Sequence, residues 1–196
     1  MALLMRAPRG WRVASVGATA LALACGGSDS TAPQTTGTCG TTPTGVMTAS
    51  VNGAAFSATF ITQATIQNST TLGPNIVQIN GAECPVNGVA GRQILITLGR
   101  LTPITPGTYN LDPASQGQPS GSGYSGIGQY VLAPNLWYSN LSDATGPGSG
   151  SITFTTVSAT RLVGTFQLVT VPAGANGTTA RQRTTITNGV FNIPTP

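Results

Sequence analysis

The chain has 196 residues, with 8 Lys plus Arg, 4 Asp plus Glu, no histidine and a formal net charge of +4. Every one of those cations is an arginine, and three of them (Arg6, Arg9, Arg12) sit at the N-terminus. The rest carries Arg92, Arg100, Arg161, Arg181 and Arg183 against Asp29, Glu83, Asp112 and Asp143, a balance of +1 with no electrostatic footprint for nucleic acid. Without His or Lys there is no His-assisted serine or cysteine nucleophile, Schiff-base lysine, Ser–Lys dyad or His-bound zinc.

The first element is an export signal over residues 1–24. Arg6, Arg9 and Arg12 make a basic n-region, and the uncharged run from Val13 to Ala24 makes an apolar h-region ending in small residues before Cys25. Twelve residues of helix rise only about 18 Å, short of the roughly 30 Å of a hydrocarbon core. Leu23-Ala24-Cys25 resembles the lipobox of diacylglyceryl-modified bacterial lipoproteins. The resemblance implies a lipid on the Cys25 thiol, cleavage before it and acylation of the new amino terminus. The expected location is therefore extracytoplasmic and membrane-anchored. Gly26 after the cysteine implies sorting to the outer membrane where the host has two membranes. Ala22 stands where such motifs usually carry Leu. The alternative is an ordinary secretory signal cut after Ala22-Leu23-Ala24, which leaves Cys25 a free thiol and the protein soluble.

Residues 25–44 follow as a tether of Gly, Ser, Thr and Pro with no apolar periodicity, too polar to offset its own ordering entropy. If one of the three cysteines carries lipid, Cys39 and Cys84 remain, an even pair in an oxidising compartment. A bridge between them closes a 45-residue separation and contributes about 4 kcal/mol in the chain-entropy model. The other outcome is that Cys39 pairs with a second chain or stays free.

From 45 to 196 the punctuation is that of one all-β domain. Strands are expected over 46–51, 54–62, 64–68, 75–80, 92–98, 107–111, 124–133, 136–139, 150–157, 161–171 and 184–193. Five Asn-Gly pairs, at 52–53, 80–81, 87–88, 176–177 and 188–189, read as hairpin turns, since both residues tolerate positive φ. Ile152 and Phe154 alternate with Ser151, Thr153 and Thr155, and Leu162, Phe166 and Leu168 with Val163, Thr165 and Gln167. Each strand thus has one apolar and one polar face. The expected fold is a single antiparallel β-sandwich or barrel-like domain of about ten short strands.

Met47-Thr48-Ala49-Ser50-Val51-Asn52-Gly53-Ala54-Ala55-Phe56 resembles the opening hairpin of a family of uncharacterised bacterial lipoprotein β-domains. Gly107–Leu111, Gly150–Phe154, Leu162–Phe166 and Thr185–Phe191 resemble later parts of it. The resemblance covers most of 46–193, except the Gly/Ser segment 112–123. It implies an exported β domain and supplies no catalytic residue.

No motif calls for a cofactor, and with no D-x-D cluster no metal site is expected. Glu83, Asp112 and Asp143 are the carboxylates a two-acid glycoside hydrolase would need, but each is more simply a turn-capping or solvated residue. A ligand surface is expected around Tyr124, Tyr130, Trp137 and Tyr138, in two adjacent strands flanked by loops 112–123 and 140–149. Its ligand would be a glycan or a protein. Strand parity puts Trp137 and Tyr138 on opposite faces, and core packing competes with ligand stacking for these rings. Arg181 and Arg183 alternate before the last strand and read as a small solvated basic spot. The functional expectation is a lipid-anchored module that binds or scaffolds, with a soluble carbohydrate-binding domain and the hydrolase as alternatives.

Overall fold

The computed structural model describes residue 39 and residues 43–67, 75–86, 88–112, 124–174 and 180–196. The export signal, Cys25 and the tether up to residue 38 lie outside the described residues, as do loop 113–123 and the Asn176-Gly177 pair. The fold is all-β, with no helix among the described residues. Its strands are β1 (Val46–Val51), β2 (Ala54–Ser57), β3 (Ile61–Gln67), β4 (Asn75–Ala82), β5 (Gln93–Arg100), β6 (Gly107–Asn110) and β7 (Tyr124–Leu132). They continue with β8 (Asn135–Tyr138), β9 (Ser142–Asp143), β10 (Gly146–Pro147), β11 (Ser149–Ser158), β12 (Arg161–Pro172) and β13 (Thr184–Pro194).

Eleven strands form one antiparallel sheet along the path β2-β1-β13-β12-β8-β7-β5-β4-β3, with β11 and β6 branching from β12. The branch explains the curl. β12 is 12 residues long and changes partner along one edge. Arg161–Val169 pair with β11, whereas Val171 and Pro172 pair with Tyr138 and Trp137 of β8. On the other side the chain turns the corner between β2 and β3, where Ala58 N–H donates to Met47 O and Phe60 N–H to Ala82 O. The two halves of the curled sheet therefore enclose a common interior with the same face. β9 and β10 make a separate two-stranded sheet.

Period-2 alternation fills that interior. Ile152 and Phe154 of β11, Leu162, Phe166 and Leu168 of β12, and Ile186, Phe191 and Ile193 of β13 meet Val77, Ile79, Ile94, Ile96 and Leu98 from β4 and β5 in one buried cluster. Tyr109 and Phe154 meet edge to face at 5.9 Å, and Phe154 and Phe191 at 5.7 Å. Each such pair adds about 0.5–1.5 kcal/mol to the burial of its area. Tyr109 also ties down its own approach: its hydroxyl donates to Thr105 O at 2.8 Å and accepts from Thr105 N–H at 3.2 Å.

The expected strands are present among the described residues, with revisions, and β9 and β10 are additional to them. The single strand expected over 54–62 is broken at 58–60, and its last residues run on into the strand expected over 64–68 as β3. The reason is that the chain turns the corner between the two halves of the sheet here, with Ala58 buried in it. Asn80-Gly81 is no turn but lies inside β4, paired with Gln63 and Thr62 of β3. Close approach favours glycine there, since a Cβ on Gly81 would run into the Met47 sulfur and the buried Met47 side chain would have to shift. Asn188-Gly189 lies inside β13 as a bulge: Phe166 pairs with Gly189 and Leu168 with Ile186, so β13 holds one extra residue. Asn188 takes the positive φ of 53° that the bulge needs. Asn52-Gly53 does form the β1–β2 hairpin, with φ of 50° and 84°.

Candidate functional site

Cys39 and Cys84 form a disulfide, with Cα atoms 5.9 Å apart. Cys84 lies just past the end of β4 and is held by a hydrogen bond from its N–H to Thr59 Oγ1 at 3.1 Å. The bond thus fixes the far end of the tether to the corner between β2 and β3. Beside it, Glu83 and Arg92 face each other across the β4–β5 connection. Arg92 Nε donates to Glu83 Oε2 at 2.6 Å and Nη2 to Oε1 at 2.5 Å, a two-point pairing. Arg92 Nη2 also donates to Ala55 O, and the guanidinium lies 5.7 Å from the centre of the Phe56 ring. The Glu83 hydrogen bonds outweigh desolvation and raise the Arg92 pKa above its ordinary value.

Asp143, in β9, is enclosed by donors. Thr145 N–H and Thr145 Oγ1–H donate to its Oδ1 at 2.8 and 2.6 Å, which is the turn-capping expected of it. Arg183 Nη2 reaches Oδ1 at 2.5 Å, and Arg181 N–H donates to Oδ2 at 3.1 Å. Arg183 further donates to Pro147 O and Gly146 O. The Arg183 hydrogen bond, followed by that of the Thr145 hydroxyl, pushes the Asp143 carboxyl well below the usual carboxylate range. The basic spot expected at Arg181 and Arg183 is corrected accordingly. Arg183 is committed to Asp143, because the β9–β10 hairpin folds against the approach to β13. Asp112 follows the end of β6 and is half-buried.

The four aromatics separate by strand parity. Tyr130 and Trp137 are directly paired across β7 and β8, their ring centres 5.4 Å apart. Both face inward: Tyr130 is 4% exposed and belongs to the core, and Trp137 packs against it. Burial raises the Tyr130 pKa. The Trp137 indole N–H donates to Gln182 O at 3.1 Å, so its polar tip holds the chain entering β13. Tyr138 pairs with Gln129 and Val171, on the opposite face, and is half-buried. Tyr124 opens β7 opposite Arg100.

A groove of about 540 Å³ lies elsewhere, between the far ends of β3 and β4, the β11–β12 turn and the C-terminus. Ile66, Val77, Ile104 and Val157 give it apolar walls, and Thr65, Gln67, Asn75, Ser158 and Thr195 line it with hydroxyls and amides. Its volume falls in the range of small-ligand sites, about 300–1,000 Å³. Among the described residues no charged side chain lines it. The groove is not legible in the sequence because its walls come from five separated stretches, none with a motif of its own. Among the described residues no group of three or more His, Cys, Asp or Glu side chains gathers as a metal would require.

Compared with known proteins, the chain finds no match: no family model, no curated protein and no solved structure corresponds to it.

Proposed function

We propose that this protein is a lipid-anchored extracytoplasmic module whose β domain binds or scaffolds. The observation that supports this most is the Cys39–Cys84 disulfide. It fits an oxidising compartment, and it leaves Cys25 as the one cysteine outside a bridge, directly behind the apolar run of the export signal. The domain would then be held by residues 26–38, whose r.m.s. reach is about 20 Å.

For the ligand, the groove between β3, β4 and the β11–β12 turn is the best-supported seat. Its mixture of hydroxyls, amides and apolar walls suits a neutral polar ligand such as a glycan. Glu83 and Asp143, each engaged by an arginine, support structural parts for both carboxylates rather than acid and base roles.

Two experiments test these two halves separately. Cys25→Ser should move the protein from the membrane fraction to the soluble one, and a variant still in the membrane would remove the anchor. On a glycan array the wild-type chain should retain a neutral glycan, and Gln67→Trp, which fills the groove from its exposed rim, should lose it. Retention unaffected by Gln67→Trp but lost in Tyr138→Ala would move the site to the β7–β8 aromatics. No retained glycan at all would end the carbohydrate reading.

A further inference from the structure

The stretch after the disulfide is a short finger with an uncommon surface. Val86 and Val89 exchange hydrogen bonds between their backbone N–H and C=O groups, at 3.0 and 2.9 Å, so the two residues are held in an isolated antiparallel bridge. Both are largely exposed, Val86 56% and Val89 63%, and Pro85 and Ala90 beside them are exposed too. Residues 85–90 carry no charge, and the charges at the base of the finger, Glu83 and Arg92, neutralise each other. An exposed apolar tip without charge is a surface that gains by leaving water.

What it would enter follows from where the tether ends. Cys39 is bonded to Cys84, the residue next to Pro85, and only fourteen positions separate it from Cys25. A flexible chain of that length has an r.m.s. reach of about 20 Å. The strand β5 alone carries the chain roughly 25 Å from the Arg92 end to Leu101. The average span of such a tether is therefore comparable with the length of one strand, and it starts beside the finger, so the disulfide end stays on average the nearer to the anchor. We propose that Val86 and Val89 insert into the headgroup boundary of the anchoring bilayer, so that the disulfide end faces the membrane and the Leu101 end points away from it. This rests on the lipid anchor at Cys25.

Leu101, 52% exposed at the opposite end of β5, supplies the control. The full lipidated chain is placed in phosphatidylethanolamine–phosphatidylglycerol vesicles with brominated acyl chains, as Val89→Trp and as Leu101→Trp, and flotation is checked first. Val89→Trp should show blue-shifted emission and strong quenching, while Leu101→Trp should show the red-shifted emission of an indole in water and no more quenching than the wild-type chain. Equal quenching of the two variants would overturn the orientation while leaving the anchor in place. A lipidated chain that does not float with the vesicles overturns the anchor and the orientation with it. Tryptophan brings its own affinity for interfaces. The wild-type chain is therefore followed by amide hydrogen exchange as well. Residues 88–92 should exchange more slowly on vesicles than in the free Cys25→Ser chain, and equal exchange would again overturn the orientation.

Discussion

Asp143 shows how a single side chain acquires its role from the fold. Its local sequence predicts a turn cap, and Thr145 supplies it two residues on. The second half of its environment, Arg183, is 40 positions away and cannot be read from spacing. Because the folded carboxyl titrates below its unfolded value, its stabilising contribution is fully present above the unfolded value of about 3.9 and is lost as the pH falls below it. Asp143→Asn should therefore be less stable than wild type at pH 7, and the gap between the two denaturation midpoints should begin to close below about pH 4 and narrow steadily as the pH falls further. A gap as wide at about pH 2.5 as at pH 7 would mean the ion pair is not its source. Gly189 makes the complementary point for shape. A Cβ there would lie 2.6 Å from Phe166 O and 2.7 Å from its ring, so Gly189→Ala should cost about 1–3 kcal/mol in urea denaturation.

At the scale of elements, alternation carried most of the information. β11, β12 and β13 are long, have one apolar face each and stand where their periodicity places them. The Asn-Gly pairs were less legible, because one dipeptide serves three different needs. At Asn52-Gly53 it makes a turn with two positive φ values, at Asn188-Gly189 a bulge with one, and at Gly81 only the missing Cβ matters. Local sequence states which conformations are tolerated, whereas the neighbouring strand decides which is used. Gly53→Ala, forced into the left-handed region, should lower stability by about 1–2 kcal/mol. Gly81→Ala should be destabilising through collision with Met47, so Met47→Ala should partly rescue it in a double-mutant cycle. Strictly additive losses would show that the two residues do not share this contact.

On the scale of the β domain, the interior is one apolar cluster shared by the two halves of the curled sheet. Phe154 touches Tyr109 on one side and Phe191 on the other, so Phe154→Ala should cost about 3–5 kcal/mol. Replacing both Cys39 and Cys84 by Ser should cost about 2–5 kcal/mol, since their bond closes a loop of 45 residues containing β1 to β4. The all-β class was legible because turns and alternation are local signals. The groove was not, because it exists only where β3, β4, the β11–β12 turn and the C-terminus meet. The aromatic residues of β7 and β8 stood out in the sequence, yet two of them serve the interior, since the curl of the sheet decides which face is inside. The central claim is that Cys25 is the anchor and that Cys39 and Cys84 are bonded within the chain. Intact mass spectrometry of the membrane-extracted protein, before and after reduction, tests both parts at once. The account predicts a chain that begins at Cys25, carries acyl groups and gains two hydrogens on reduction. An unacylated chain, or a mass unchanged by reductant, would contradict it.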